Sequence, residues 1–392
     1  YWELPVMDNL ESNKHFLSEE LEVLLNNSVK RQLSADVPVG VLLSGGVDSS
    51  LITAIASRHS KQLKSFTVRF PDQADFDETI HARKISNHFC TDHFELEASP
   101  IDTDFLFKLA KQFDEPIIDS SIIPMYMVSE LVQKHCKVVL GGDGGDELFG
   151  GYEHYSRLLW INKYSKFIPQ SIQKSAALLA EKTMPIGMKG KNWIYSLKYD
   201  LDTEVPLIAS YFERIYREKL LGGSFLDWES SAENIRSNLI PQNKELLQRA
   251  TRMDFCNYLT EDILVKVDRA SMLNSLEVRA PFLDKNLIEF AFNKVPSDLK
   301  ATSLDKKILL KNLAHRILPK DFEANRKQGF SIPINYWLKK GKFRDFFNNI
   351  LLDSNCIFDR KSVEKLFKYQ DMGFNNGERL FALLMFELWR ME

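Results

Sequence analysis

Residues 40–59, GVLLSGGVDSSLITAIASRH, set a carboxylate where an anion-binding loop is otherwise written. An apolar run stops at Ser44-Gly45-Gly46, and Asp48 stands where the pattern turns helical, flanked by Ser49 and Ser50. Adjacent glycines permit positive φ and close backbone approach. The hydroxyls add donors to the free amides of a helix start, which attract anions. No GxxxxGK[ST] lysine is present, so the loop is not of the Walker A type. Asp48 would repel a phosphate unless a divalent cation lay between them, and Mg2+ takes one or two carboxylates together with phosphate oxygens. The plain alternative is a strand-to-helix turn with Asp48 as a favourable charge at the helix N-terminus.

A second stretch repeats the logic. KVVLGGDGGDELFGGY (137–152) ends a short apolar run in six glycines and three carboxylates, Asp143, Asp146 and Glu147. So many glycines cost backbone entropy, which disfavours a purely packing role. A calcium turn is the main rival, but a single loop lacks both EF-hand spacing and the repeated ligands of a β-roll. The preferred reading divides the work: one carboxylate joins Asp48 on Mg2+ and another faces the substrate.

The elements that must carry these loops read as α/β. FLSEELEVLLNNSVKRQL (16–33) has the apolar spacing of one helix face, with Ser18 as the expected cap. Residues 37–43 read as a buried strand, 65–70 and 92–97 as further strands, and 77–89 as a helix between them. Helices are expected near 101–113 and 121–135. The alternation implies a parallel sheet with helices on both faces, its glycine-broken strand ends opening on one edge where such sheets bind ligands. Beyond residue 152 helical periodicity dominates, as in 243–259, 306–318 and 379–389. The expected organisation is a lead-in over 1–30, an α/β core over 31–152 and a mostly helical remainder over 153–392.

With 392 residues, 44% of them hydrophobic, the chain can bury a sizeable core. A formal net charge of −3 gives no broad basic field, so a nucleic acid or an anionic membrane would need a local patch invisible in one dimension. Neither is expected as a partner. Four scattered cysteines form no CxxC and fit reduced thiols of a cytoplasmic protein. No segment approaches the length of a membrane span.

SGGVDSS after a hydrophobic strand, FDEPIIDSSIIPMY (113–126), LGGDGGDELFGGY (140–152), VDRASMLNSLEVRAPFLD (267–284) and NRKQGFSIP (325–333) resemble, in order, the synthetase domain of asparagine synthetase B-type enzymes. These belong to the ATP-pyrophosphatase (PP-loop) group, with the β-lactam synthetases. The resemblance covers roughly residues 10–390. It implies attack of a substrate carboxylate on the α-phosphate of ATP, giving an acyl-adenylate and pyrophosphate, followed by displacement of AMP by ammonia. By position Ser44, Gly45, Gly46, Asp48, Ser49 and Ser50 match the pyrophosphate loop, and Asp48 and Asp146 the magnesium ligands. Leu42 and Val68 match contacts to adenosine, and Gly142 lies in the nucleotide-facing turn. Lys327 matches a lysine that stabilises charge developing on phosphate and carbonyl oxygens, and Tyr152 a tyrosine near the reacting centre. Glu277 and Arg279 read as a segment lining the site, a buried ion pair being the bland alternative.

Two departures matter. Asparagine synthetases proper carry Ser-Gly-Glu where this chain has Gly141-Gly142-Asp143, so the carboxylate at 143 is one methylene shorter than the family's catalytic glutamate. Aspartate as acceptor is thereby put in question, and a sugar acid of surface-polysaccharide assembly is an alternative. The family's glutaminase domain, with its N-terminal cysteine, has no counterpart before Tyr1. That domain is expected in a full-length chain, and free ammonia would serve this one. A homodimer stays open. The rivals are an RNA-modifying enzyme of the same fold, similar only at the SGGxDS loop, and a nucleotide-binding scaffold without catalysis.

Overall fold

The computed structural model describes residues 2–5, 10–69, 78–98, 102–206, 211–222, 231–241, 244–326 and 332–392. Two compact units divide the chain. One gathers residues 1–99, 124–159 and 244–330, the other 100–123, 160–243 and 331–392.

The first unit is built on five parallel strands, β1 (Val39–Leu42), β2 (Lys64–Arg69), β3 (Asp92–Glu97), β4 (Val138–Leu140) and β5 (Glu277–Arg279), in the order β3-β2-β1-β4-β5. Alternate side chains enter separate cores. Val41 and Leu140 join one cluster with Leu17, Leu21 and Leu25 of helix Lys14–Gln32, Leu51 and Ile55 of helix Val47–Ser57, and Leu309 and Leu313 of helix Ile308–Ile317. Phe66 and Val139 join another with Val128, Val132 and Cys136, against which Leu42 and Val68 pack. Both faces are therefore covered, as parallel sheets require. Because β1 is followed by β2 on one side and flanked by β4 on the other, the loops leaving β1 and β4 diverge at a topological switch point.

Local chemistry adjusts the expected elements. The first helix begins at Lys14 because the Asn13 side chain accepts from the amides of His15 (3.0 Å) and Phe16 (3.2 Å); Ser18, the expected cap, is buried one turn inside. β5 comes from well beyond residue 152, so the sheet draws a strand from the stretch read as helical. Its Arg279 is only part-buried and its Glu277 exposed, 2.6 Å apart. Arg279 Nη1 also donates to the carbonyls of Gln32 (2.6 Å) and Ser34 (2.9 Å), where a cation complements a helix C-terminus. The helix expected over 243–259 runs from Leu246 to Met272, with a π-helical middle at Phe255–Ile263.

The second unit is helical. Leu106, Ile123, Ile334, Leu338, Phe347 and Phe381 line its apolar interior. There Ser120 Oγ donates to Glu378 Oε1 at 2.9 Å, and burial raises the Glu378 carboxyl above the ordinary carboxylate value.

Two predictions follow from this packing. A Cβ on Gly40 would lie 2.6 Å from the Phe66 ring and 3.3 Å from Cys136 Sγ, so Gly40→Ala is expected to cost about 1–3 kcal/mol, read from the urea midpoint. An unchanged midpoint would mean that the Phe66 ring yields freely. For Glu378, the folded state binds more protons than the unfolded one between the ordinary and the raised pKa, so stability falls as pH rises through that window. Glu378→Gln is expected to flatten that fall in urea titrations at mildly acidic and neutral pH.

Candidate functional site

The loop after β1 leads into helix Val47–Ser57, which starts at Gly46 with no side chain capping its first amides. Gly45 takes φ +73°, and a Cβ there would lie 2.9 Å from the amide nitrogen of Ala82, so only glycine fits. Ser49 Oγ accepts from the Ser44 amide (3.2 Å) and lies 3.0 Å from Ser44 Oγ, which pins the loop. Ser50 is fully buried and its hydroxyl has no hydrogen-bond partner among the described residues. Leu42 and Val68 share one apolar cluster on the adjoining sheet face.

Glycines bring the second loop against the first. A Cβ on Gly142 would stand 3.2 Å from Asp48 Cβ, and one on Gly145 only 2.9 Å from Asp48 Cγ. On Gly151 it would fall 1.8 Å from Asp146 Oδ1. The closeness that the glycines allow sets Asp48 and Asp146 around one point, and a cation occupies it. Lys307 Nζ donates to Asp48 Oδ2 and lies 2.8 Å from Asp146 Oδ1, the three side chains being 11%, 20% and 25% exposed for Lys307, Asp48 and Asp146. Burial alone would lower the Lys307 pKa. The two carboxylates outweigh it and hold the ammonium well above its ordinary value. Lys307 itself sits at φ +53°, a left-handed conformation uncommon for a lysine and frequent at functional positions.

The rest of the loop faces inward. Desolvation raises the Asp143 carboxyl, opposed chiefly by the charge of Lys266, a buried residue of helix Leu264–Met272. Glu147, 1% exposed, accepts a short hydrogen bond from the Tyr152 hydroxyl; burial pushes its carboxyl up to about 7, that bond opposing and Asp146 adding to the rise. Tyr152 stacks on His154 at 5.3 Å, and His154 Nε2 lies 2.8 Å from Asp254 Oδ2 at the last turn before the π-helical segment. Tyr258 of that segment packs edge-on against Tyr152 at 5.8 Å.

Asp48, Gly142, Asp146, Asp143 and Tyr152 thus belong to one loop pair at the β1 and β4 ends, with Ser44, Gly45, Gly46 and Ser49 on its rim. Lys327 lies outside the described residues. Lys307 and Lys266 were not legible: the first opens the periodic segment 306–318 as one of two adjacent lysines, and the second is one lysine within a long helix. For a divalent cation the donor set fits. Two carboxylates already converge on a single positive charge, and Mg2+ asks for no more protein ligands when phosphate and water complete its shell. No group of three or more acidic, histidine or cysteine ligands exists among the described residues, so a closed all-protein metal cage is not what these side chains offer.

The family model described as Asparagine synthase matches residues 20–391. Asparagine synthetase [glutamine-hydrolyzing] 1 of Bacillus subtilis is 30% identical over 97% of this chain and 60% of its own length. A protein of Mycobacterium tuberculosis, provisionally named an asparagine synthetase (glutamine-hydrolyzing), is 31% identical over 95% of this chain and 57% of its own. Asparagine synthetase B [glutamine-hydrolyzing] of Escherichia coli is 35% identical over a shorter stretch, 35% of this chain and 28% of its own. The chain spans 57–60% of the length of the first two relatives.

Replacing Lys307 with methionine keeps the stem and removes the charge, leaving two carboxylates opposed. Lys307→Met is expected to lose roughly 3 kcal/mol at neutral pH. Millimolar Mg2+ should restore part of that loss in thermal melts, while wild type responds less. A variant as stable as wild type, with no added Mg2+ response, would show that the carboxylates do not converge.

Proposed function

The chain belongs to the asparagine synthase family, and on that footing we propose that it is an ATP-dependent, amide-forming ligase that releases AMP and pyrophosphate. The observation that carries this reading is the convergence of Asp48 and Asp146, from two different strand ends, on one cation.

In this proposal the first-turn amides of helix Val47–Ser57, with Ser44, Gly45, Gly46, Ser49 and Ser50, hold the diphosphate of ATP. Leu42 and Val68 flank the adenosine, and Gly142 leaves room for it. Asp48 and Asp146 would hold Mg2+, whose contribution when bound is to neutralise charge between those carboxylates and the diphosphate. Lys307, no longer needed between the carboxylates, would turn its ammonium to the diphosphate oxygens. Lys327 would stabilise the charge that develops as the α-phosphate is attacked. Asp143 and Tyr152 would orient the acceptor, with the Tyr152 hydroxyl fixed by Glu147. Ammonia, free or released from glutamine by a further domain, would then displace AMP. A cytoplasmic setting goes with this reading, and all four cysteines are free.

The acceptor is a carboxylic acid. Asp143 favours a sugar acid over aspartate, because its short carboxylate is already under the charge of Lys266 and offers less to a substrate ammonium. Positioned catalysis is sensitive to a shift of about 1 Å.

Acid-dependent exchange of labelled pyrophosphate into ATP tests the reading. Wild type is expected to exchange with the true acceptor, and Asp48→Ala to fold yet lose exchange by at least about 100-fold. Lys327→Ala should lower kcat far more than ATP affinity. Formation of ADP and orthophosphate, or nucleotide binding with no exchange for any acid, would overturn it.

A further inference from the structure

Outside the site, the second unit carries a surface of unusual make-up. On the last turns of helix Glu153–Ser165, the rings of Trp160 (53% exposed) and Tyr164 lie 4.9 Å apart, tilted 48° to one another and exposed. Phe167, 84% exposed, and Ile168 continue the surface to helix Gln170–Thr183. That helix buries Ala177 and Ala180 and turns Ile172 and Leu179, two helical turns apart, the other way. Isolated exposed apolar residues need no account, but so many aromatic and aliphatic residues exposed close together along the chain mark a binding face.

Charge selects the occupant. Residues 160–189 hold five lysines, Lys163, Lys166, Lys174, Lys182 and Lys189, against one acid, Glu181, for a net +4. All five lysines are exposed, whereas the chain as a whole is −3, so the remainder carries −7. Averaged over the sequence, this concentration disappears. Among the described residues only Lys166 of the five pairs with a carboxylate, Asp202 at 3.9 Å, and that pair is 60% and 76% exposed, so it neutralises little.

We propose that this face docks on an anionic lipid bilayer, the rings and aliphatic side chains entering the boundary between headgroups and acyl chains while the lysines meet lipid phosphates. Trp and Tyr are the residues of that boundary, and lysine stems reach past apolar neighbours to keep their charge in the polar layer. Helices lying flat with an apolar side and a lysine-rich margin bind by buried apolar area plus attraction to anionic lipid. No helix among the described residues is long and apolar enough to cross a membrane, so the association is peripheral. A second copy would set lysine against lysine, which disfavours self-docking through the same surface.

The test is pelleting of the protein with vesicles of phosphatidylcholine, with or without phosphatidylglycerol. Binding is expected with the anionic vesicles, little with the neutral ones, and less as salt rises. Lys163→Gln, Lys166→Gln and Lys174→Gln should each weaken binding about five-fold. Phe167→Ser should weaken it at unchanged helix content, measured by circular dichroism. Absence from anionic vesicle pellets, or binding that none of these variants alters, overturns the proposal. So does concentration-dependent self-association lost in Phe167→Ser without any vesicle binding, which would give the face to a second copy.

Discussion

One ammonium between two carboxylates is the interaction that organises the site. Asp48 and Asp146 both contact Lys307 Nζ, so their nearest oxygens are no more than about 5 Å apart, a separation at which two unit charges repel by about 3 kcal/mol at an effective dielectric near 20. The loops can hold that geometry only with a positive charge in place. The glycines follow from the same requirement. Gly145 backs directly onto the Asp48 carboxylate and Gly151 onto that of Asp146, at distances no Cβ could occupy without moving them, and Gly142 stands close against Asp48 Cβ. In the second loop Gly145 and Gly151 are thus the footprint of charge convergence, while Gly144 (φ +91°) and Gly150 (φ +69°) meet a need for left-handed backbone.

Sheet order makes the convergence available. β1 and β4 are hydrogen-bonded neighbours, with Val41 paired to Leu140, and both strands end within a residue or two of that pair. Loops that leave adjacent parallel strands at the same level must emerge side by side. β5 then covers the outer edge of β4, pairing Leu140 with Arg279, and Arg279 in turn donates to the last carbonyls of the first helix. One arginine therefore links the edge strand to the C-terminus of a helix that supplies much of the core. The π-helical stretch Phe255–Ile263 lies beside the same loops, its Tyr258 against Tyr152, and π-turns recur where a helix must present side chains off its regular stripe.

What could be read from the residues alone was what repeats or punctuates. Apolar runs cut by glycine gave strands β1 and β4 and their loops, and the carboxylates in those loops pointed to a divalent cation, where the structure sets the ammonium of Lys307. Helix faces with regular spacing were legible to within a few residues. The cap was not: Asn13 and Ser18 are both capping types, and only packing decides which one lies inside the helix. β5 was illegible because three residues, Glu277 to Arg279, carry no period of their own and become a strand by pairing with β4. Lys307 and Lys266 were illegible for a deeper reason. A lysine is ordinarily a solvated surface residue, and nothing in its neighbours along the chain records that a distant loop will place carboxylates around it.

The same argument applies to charge. A formal sum of −3 over 392 residues excludes a uniform basic field and nothing more. Potential depends on where charges stand, and within about a Debye length, near 8 Å at physiological salt, only the local set matters. The carboxylates Asp48, Asp143, Asp146 and Glu147 are gathered in one unit around buried lysines, where each affects the protonation of the next. The lysines between Lys163 and Lys189 stand exposed in the other unit, with Glu181 the one acid in their stretch. The loop carboxylates are answered by buried ammonium groups of their own, whereas the lysines of the helical stretch face solvent. A near-neutral composition is therefore compatible with a charge-paired loop cluster and a strongly cationic helical face on a single chain, and each must be judged by the ligand its own surroundings select.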